Sequence, residues 1–185
     1  MTSTAAGPAF EGAGVSCGCG SIPGAIDKVW IERGKLRIHT IREQPPIGIC
    51  GSGIVDTVAK LLETEGLDET GVLEEEAGEL APGLFLTQKD IRMVQLAKAA
   101  ISAGIRTLLT ETNTDFSQIE TCYLAGGFGS HLNIENAVAV GLIPQELKTK
   151  VNVVGNAALA GASQLLLDAE KINILDRYES LHLCD

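Results

Sequence analysis

One stretch limits the possible folds of this chain more than any other: Tyr123-Leu124-Ala125-Gly126-Gly127-Phe128-Gly129. Residues 122–125 are apolar or small and read as the end of a buried strand. Two adjacent glycines then let the backbone turn sharply and lie close to a ligand. Asn133 follows as a helix cap, with Glu135 just after it and an apolar-periodic run over residues 134–140. A strand, a glycine turn and a capped helix together present backbone N–H groups to an anionic or nucleotide ligand.

The flanking sequence supports an α/β class. Residues 25–41 read as a β-hairpin, with a first strand over 26–31 and a turn at Glu32-Arg33-Gly34. In its second strand Leu36 and Ile38 alternate with Lys35, Arg37 and His39, so His39 faces solvent. Pro45-Pro46 breaks the strand. Residues 47–53 form a second glycine-rich turn, and a helix follows with Ile54, Val55, Val58, Leu61 and Leu62 on one face. Gly66 stops it.

Residues 68–79 are acidic and weakly patterned, an exposed excursion in which Glu74-Glu75-Glu76 is solvated. A short strand spans residues 84–86. Thr87 caps the longest helix, with Asp90 at the capping-box position. Ile91, Val94, Ile101, Ile105 and Leu108 carry that helix to about Thr112. Asp90 and Arg92 read as capping and surface-pairing residues. Residues 113–117 turn the chain into a strand over 119–125. Gly141 ends the next helix, and Pro144 marks a turn. A strand over 151–154 leads into a helix of low bulk beginning at residues 155–162, suited to close packing against a partner helix or a ligand. A last helix over 169–178 and a terminal strand over 180–184 complete the reading, in which the hairpin feeds an open sheet flanked by helices.

The 185 residues suffice for one domain with a real core. With 45% hydrophobic and only 4% aromatic residues, that core is aliphatic. A net charge of −10 argues against unaided binding to nucleic acid or anionic lipid. No apolar run has the length of a membrane span and the N-terminus has no signal-like core, so a soluble, cytoplasmic protein is expected. Cysteines 17, 19, 50, 122 and 184 include no Cys-x-x-Cys pair and read as free thiols in a reducing compartment, with no metal site.

Three small-residue turns stand out, at residues 5–12, 47–53 and 126–129. None is a Walker A loop, and none carries the acidic ribose partner of a Rossmann dinucleotide site. Leu124-Ala125-Gly126-Gly127-Phe128-Gly129 resembles the adenosine motif of the acetate and sugar kinase, heat-shock chaperone and actin superfamily (ASKHA). Gly155-Asn156-Ala157-Ala158-Leu159-Ala160-Gly161-Ala162 resembles its second connecting motif. The likeness extends to Ser3-Thr4-Ala5-Ala6-Gly7-Pro8-Ala9-Phe10-Glu11-Gly12, to Gly48-Ile49-Cys50-Gly51-Ser52-Gly53-Ile54, and to Thr87-Gln88-Lys89-Asp90-Ile91-Arg92 with Gln95-Leu96-Ala97-Lys98-Ala99-Ala100-Ile101. Taken in that order, these motifs resemble the C-terminal half of the reductive activators of corrinoid proteins, over nearly the whole chain.

The resemblance implies an actin-like ATPase lobe with a ribonuclease H-like fold, incomplete and occupying residues 1–185 as a single unit, with a β-hairpin and a mixed sheet flanked by helices. It implies ATP or ADP with Mg²⁺ in the full-length protein, and a 2Fe–2S cluster in an N-terminal domain absent from this sequence. The middle domain, the first ATPase lobe and the Asp-Ile-Gly-Thr-type phosphate loop are absent too. The implied activity couples ATP hydrolysis to electron transfer that returns Co(II) corrinoid to Co(I), and such a lobe alone is expected to be inactive. A corrinoid iron–sulfur protein or a corrinoid methyltransferase is the implied partner, in a cytoplasmic homodimer. The competing reading is a non-catalytic dimerisation or protein-interaction module.

The resemblance also assigns roles. Gly126, Gly127 and Gly129 let adenine or ribose lie against the backbone. Phe128 flanks the base or packs in the core. Thr4, Ala6 and Gly7 line the ribose–phosphate side. Glu11 reaches a ribose hydroxyl or is a surface carboxylate. Gln95 and Lys98 share a helix face that closes over adenine, or Lys98 is solvated. No catalytic residue and no metal ligand is assigned.

Overall fold

The computed structural model describes residues 1–74 and 78–167. Strands β1 (Ala25–Glu32) and β2 (Lys35–Thr40) form the expected hairpin, with Val29 opposite Ile38 and Ile31 opposite Leu36. Arg33 and Gly34 both take positive φ, 52° and 73°, which matches the turn to the twist of the strands. β3 (Gly48–Ile49) pairs in parallel with β1, so this three-stranded sheet is mixed, in the order β2-β1-β3.

Residues 47–53 are therefore not one turn. They contain β3 and the first turn of α1 (Gly51–Glu63). Residues 51–59 of α1 are all buried, so the helix is enclosed nearly all round rather than on one face. Its buried Asp56 accepts hydrogen bonds from the Val29 amide (3.2 Å) and from Asn136 Nδ2 (2.6 Å), tying the helix to β1 and to a later segment. Burial raises the Asp56 carboxyl above its ordinary value, although these two bonds oppose the shift.

The acidic excursion is more structured than its composition implies. β4 (Glu79–Ala81) pairs antiparallel with β5 (Leu84–Phe85). Glu75 and Glu76 lie outside the described residues. α2 (Gln88–Glu111) clamps the start of the excursion: Gln88 bonds the Leu73 amide (2.8 Å) and the Gly71 carbonyl (2.6 Å), and Arg92 donates to the Thr70 carbonyl (3.2 Å).

The capping box of Thr87 and Asp90 forms as the sequence predicts. Asp90 is not a surface residue, however. It is 0% exposed and also accepts from the Ser16 amide (2.8 Å) and hydroxyl (3.1 Å). Burial would push its carboxyl up, but the hydrogen bonds from Thr87 and Ser16 outweigh that and hold it below the ordinary value.

β6 (Cys122–Ala125) pairs in parallel with β7 (Val151–Gly155). β6 is shorter than the expected 119–125 because Asp115 and Gln118 close a capping box on a 3-10 turn, Phe116–Gln118. It is not fully buried either: its residues alternate, and Tyr123 is 67% exposed. α3 (Gly127–His131) and α4 (Ile134–Ala139) follow, and Asn133 caps α4 through the Asn136 amide (3.1 Å). A 3-10 segment, Gln145–Lys150, occupies what Pro144 marked as a turn.

The low-bulk helix is α5 (Ala157–Leu167), capped by Asn156. It buries none of its residues, so the close packing expected of it does not occur among the described residues. The expected open sheet is replaced there by three small sheets. The core is built from aliphatic side chains of the first sheet, α1 and α2, such as Ile26, Ile49, Ile54, Leu61, Ile91 and Val94. Residues 169–178 and 180–184, read as a helix and a strand, lie outside the described residues.

Candidate functional site

The glycine turn after β6 is built from local chemistry. Gly126 has φ 98° and ψ 166°, a conformation open almost only to glycine. Its amide donates to the Gly155 carbonyl (2.7 Å), and its carbonyl accepts from the Ser130 hydroxyl (2.9 Å). The turn is therefore fixed from both sides. Gly127 then starts α3, and nothing lies within 4 Å of where a side chain would begin. Gly129 faces inward, where a Cβ would come 2.7 Å from Leu124.

The three small-residue turns singled out in the sequence meet here. Phe10 and Glu11, Gly51 and Ser52, and Gly127 and Phe128 line one cleft of about 270 Å³. Phe10 and Phe128 stack with ring centroids 5.4 Å apart and planes 17° from parallel. Gly51 sits beneath them, so close that a Cβ would stand 2.0 Å from the Phe10 carbonyl oxygen. Ser52 donates to the Asp27 carbonyl (2.9 Å), which anchors the first turn of α1 to β1.

The predicted residues divide between places. Glu11, Gly127 and Phe128 line this cleft, and Gly126 and Gly129 shape its turn. Phe128 stacks on Phe10 and also packs against the core. Ala6 is half-buried and Gly7 is exposed, on the segment leading to Phe10. Thr4 lies over α2, where its methyl occupies the space beside Gly104. Gln95 and Lys98 line a second cleft, of about 250 Å³, between α1, α2 and α4. Gln95 donates to the Thr70 carbonyl (3.2 Å), and Lys98 donates to the Val140 carbonyl (2.7 Å) at the end of α4.

Sequence reasoning did not assign Cys19, Ser21, Cys50, Ser52 and His131 to the site, yet all five line the first cleft. Cys50 and Ser52 fall within a turn that the sequence marks. Cys19 and His131 carry no comparable local signal. Burial, and then the neighbouring Cys50 thiol, push the Cys19 thiol up, and burial pushes Cys17 up to about 11. His39, expected to face solvent, is exposed and pairs with Asp27 (2.6 Å).

Among the described residues no three His, Cys, Asp or Glu side chains are grouped to hold a metal ion. The cleft instead suits an organic ligand with a flat apolar part. It offers an aromatic pair on one side, and at Gly127 a surface free of side chains.

Comparison with known proteins agrees with this architecture. Residues 1–180 match the family described as the C-terminal domain of RACo, the ASKHA domain. The corrinoid activation enzyme RamQ of Eubacterium limosum is 38% identical over 94% of this chain and 34% of its own length. A Co(II) methylated amine-specific corrinoid protein reductase of Methanosarcina barkeri is 29% identical over 92% of this chain and 36% of its own. A solved structure, a reductive activator for corrinoid, iron–sulfur protein, superposes with a TM-score of 0.87 at 33% identity. It covers 99% of this chain and 33% of that one. The chain thus spans about a third of the length of the curated relatives that it matches. It belongs to the family of C-terminal ASKHA lobes of reductive activators of corrinoid proteins.

Proposed function

We propose that this chain is the nucleotide-binding C-terminal lobe of an ATP-dependent activator that returns Co(II) corrinoid proteins to Co(I). The observation that carries the reading is the meeting of three separated small-residue turns, at Phe10–Glu11, Gly51–Ser52 and Gly127–Phe128, on one cleft. In this reading adenine or ribose lies on the bare backbone of Gly126 and Gly127, beside Phe128. Glu11 stands within the same cleft to meet a ribose hydroxyl. Ala6 and Gly7, on the segment leading to Phe10, continue the wall towards the phosphates. Thr4 packs against Gly104, and Gln95 and Lys98 line the separate second cleft, so these three stand outside the proposed nucleotide contacts. In this reading the phosphate loop, Mg²⁺ and a 2Fe–2S cluster belong to other segments of the full-length protein, so the lobe by itself does not hydrolyse nucleotide. The partner is a corrinoid iron–sulfur protein or a corrinoid methyltransferase, in the cytoplasm. Among the described residues no helix is long and apolar enough to cross a membrane.

Calorimetric titration with ADP and Mg²⁺ tests this reading, on the chain joined to the first ATPase lobe of its full-length protein. Saturable binding is expected, and Gly127→Val should weaken it roughly tenfold or more by filling the cleft. The added side chain meets no protein atom within 4 Å at its first carbon, so the fold should survive. Absence of binding, or unchanged affinity in the folded variant, would overturn the assignment.

A second reading, dimerisation, is supported by α5, which leaves Leu159, Leu166 and Leu167 exposed. The two readings are compatible in one homodimeric activator. Light scattering at micromolar concentration should give twice the chain mass, and a monomer would count against it.

A further inference from the structure

Residues 17–19 run alongside β3 as an additional extended segment. Gly18 and Ile49 form a parallel bridge, framed by hydrogen bonds from the Cys19 amide to the Ile49 carbonyl (2.9 Å) and from the Ile49 amide to the Cys17 carbonyl (2.8 Å). One step further along the same register, Cys19 lies opposite Cys50. Cys50 is still extended there, with φ −94° and ψ 173°, before α1 begins. Side chains directly opposite in a parallel pair point to the same face. Gly48, two residues before Cys50 and so on that face, fixes the face but not the final pairing. A Cβ built there would lie 2.8 Å from the Cys19 sulfur, which leans over Gly48, while the Cys50 sulfur lies 3.5 Å from the Ser52 hydroxyl. Closure therefore requires both thiols to rotate about their Cα–Cβ bonds. Both cysteines line the cleft described above.

We propose that Cys19 and Cys50 are a dithiol pair that closes to a reversible disulfide across the cleft. Neighbouring strands stand about 4.8 Å apart, inside the roughly 4.4–6.8 Å between α-carbons that a disulfide accepts. Cys17 is two residues from Cys19 on the same strand. Bridging those two would need the strand to buckle, so Cys50 is the better partner.

The chemistry needs a disulfide-class oxidant. The Cys19 thiolate attacks one sulfur of a small disulfide, forming a mixed disulfide and releasing one small thiol. The Cys50 thiolate then attacks the Cys19 sulfur and displaces the second small thiol. Two protein thiols and one small disulfide become one protein disulfide and two small thiols. Exposure fits this order, because Cys19 is half-buried whereas Cys50 is 2% exposed and reaches Cys19 more readily than solvent. The bond would join the segment after Ser16 to the start of α1, and it holds whatever the cleft binds.

The test is incubation of the full chain with oxidised glutathione at mildly alkaline pH, which offsets the raised Cys19 thiol. Peptide mapping follows under non-reducing conditions. The principal cross-link should join the Cys19 and Cys50 peptides, disappear on reduction, vanish in Cys19→Ser and persist in Cys17→Ser. A bridge through Cys17, stable glutathione adducts without an internal bridge, or no reaction would each overturn the proposal. The unmodified chain and the Cys19→Ser variant, altered at a half-buried site, decide the matter without requiring a fold-sensitive change at Cys50.

Discussion

Asp90→Ala is expected to lower the unfolding free energy by about 3 kcal/mol, read from the urea midpoint at neutral pH. The carboxylate accepts from the Thr87 amide (2.8 Å) and hydroxyl (2.7 Å) and from the Ser16 amide and hydroxyl. Alanine removes the carboxylate half of the α2 capping box, although Thr87 can still cap the residue-90 amide, and leaves the part-buried Thr87 and Ser16 amides without their acceptor. The local half of the effect is the cap of α2. The rest comes from releasing the N-terminal segment that carries Ser16, Cys17 and Cys19. The pH dependence has a definite sign. The Asp90 carboxyl is held below its ordinary value, so its stabilisation is present above about pH 4 and is lost as the pH falls through the lowered value. Asp56 acts in the opposite sense. Its raised carboxyl contributes stability at low pH that is lost as the pH rises through its folded value. Removing Asp90 should therefore flatten the acid limb of the stability profile. An unchanged acid limb would refute this account of Asp90.

Gly51→Ala should cost about 3 kcal/mol and disturb the cleft directly. A Cβ at this position would lie 2.0 Å from the Phe10 carbonyl oxygen and 3.0 Å from the Phe128 ring. The obstacle at Phe10 is backbone, which no rotamer change can move aside. Either the 3-10 turn Ala9–Glu11 or the start of α1 must shift, and the Phe10–Phe128 stack should loosen with it. Gly161→Ala in α5 is the control. Its Cβ meets nothing within 4 Å, and alanine favours a helix by roughly 1 kcal/mol over glycine, so that variant should be slightly stabilised. Equal effects of the two substitutions would show that helix propensity, not close approach, governs Gly51.

Features of this fold whose cause lies within one turn of chain could be read from the sequence. The hairpin follows from alternation over Leu36 and Ile38 and from the Arg33-Gly34 turn. The starts of α2 and α4 follow from Thr87 with Asp90 and from Asn133. Failures arose where a distant segment changes the environment. The pattern of α1 suggests one apolar face, yet the helix is enclosed because β1, the Phe10 turn and α4 surround it. Asp90 looks like an exposed cap until Ser16, 74 residues away, covers it. The acidic excursion looks shapeless until Gln88 and Arg92 hold its backbone. In the cleft, Gly127, Phe128 and Glu11 were accessible to motif reasoning. Cys19 and His131 were not, since only the crossing of chain segments brings them in.

The sequence alone determined the class, the capped helices, the glycine turn and, through its ordered motifs, the ASKHA family of the chain. The capped helices and the glycine turn rest on backbone sterics and on hydrogen bonds between near neighbours, which do not depend on what else the chain packs against, whereas the family rests on the resemblance of its motifs. Only the tertiary structure decided that three separated turns share one cleft, that Gln95 and Lys98 line another, and that Asp56 and Asn136, 80 residues apart, tie α1 to α4. The reason is physical. Such contacts are chosen by which segments can fill the same buried volume with every polar group paired, and no short window of sequence contains that competition.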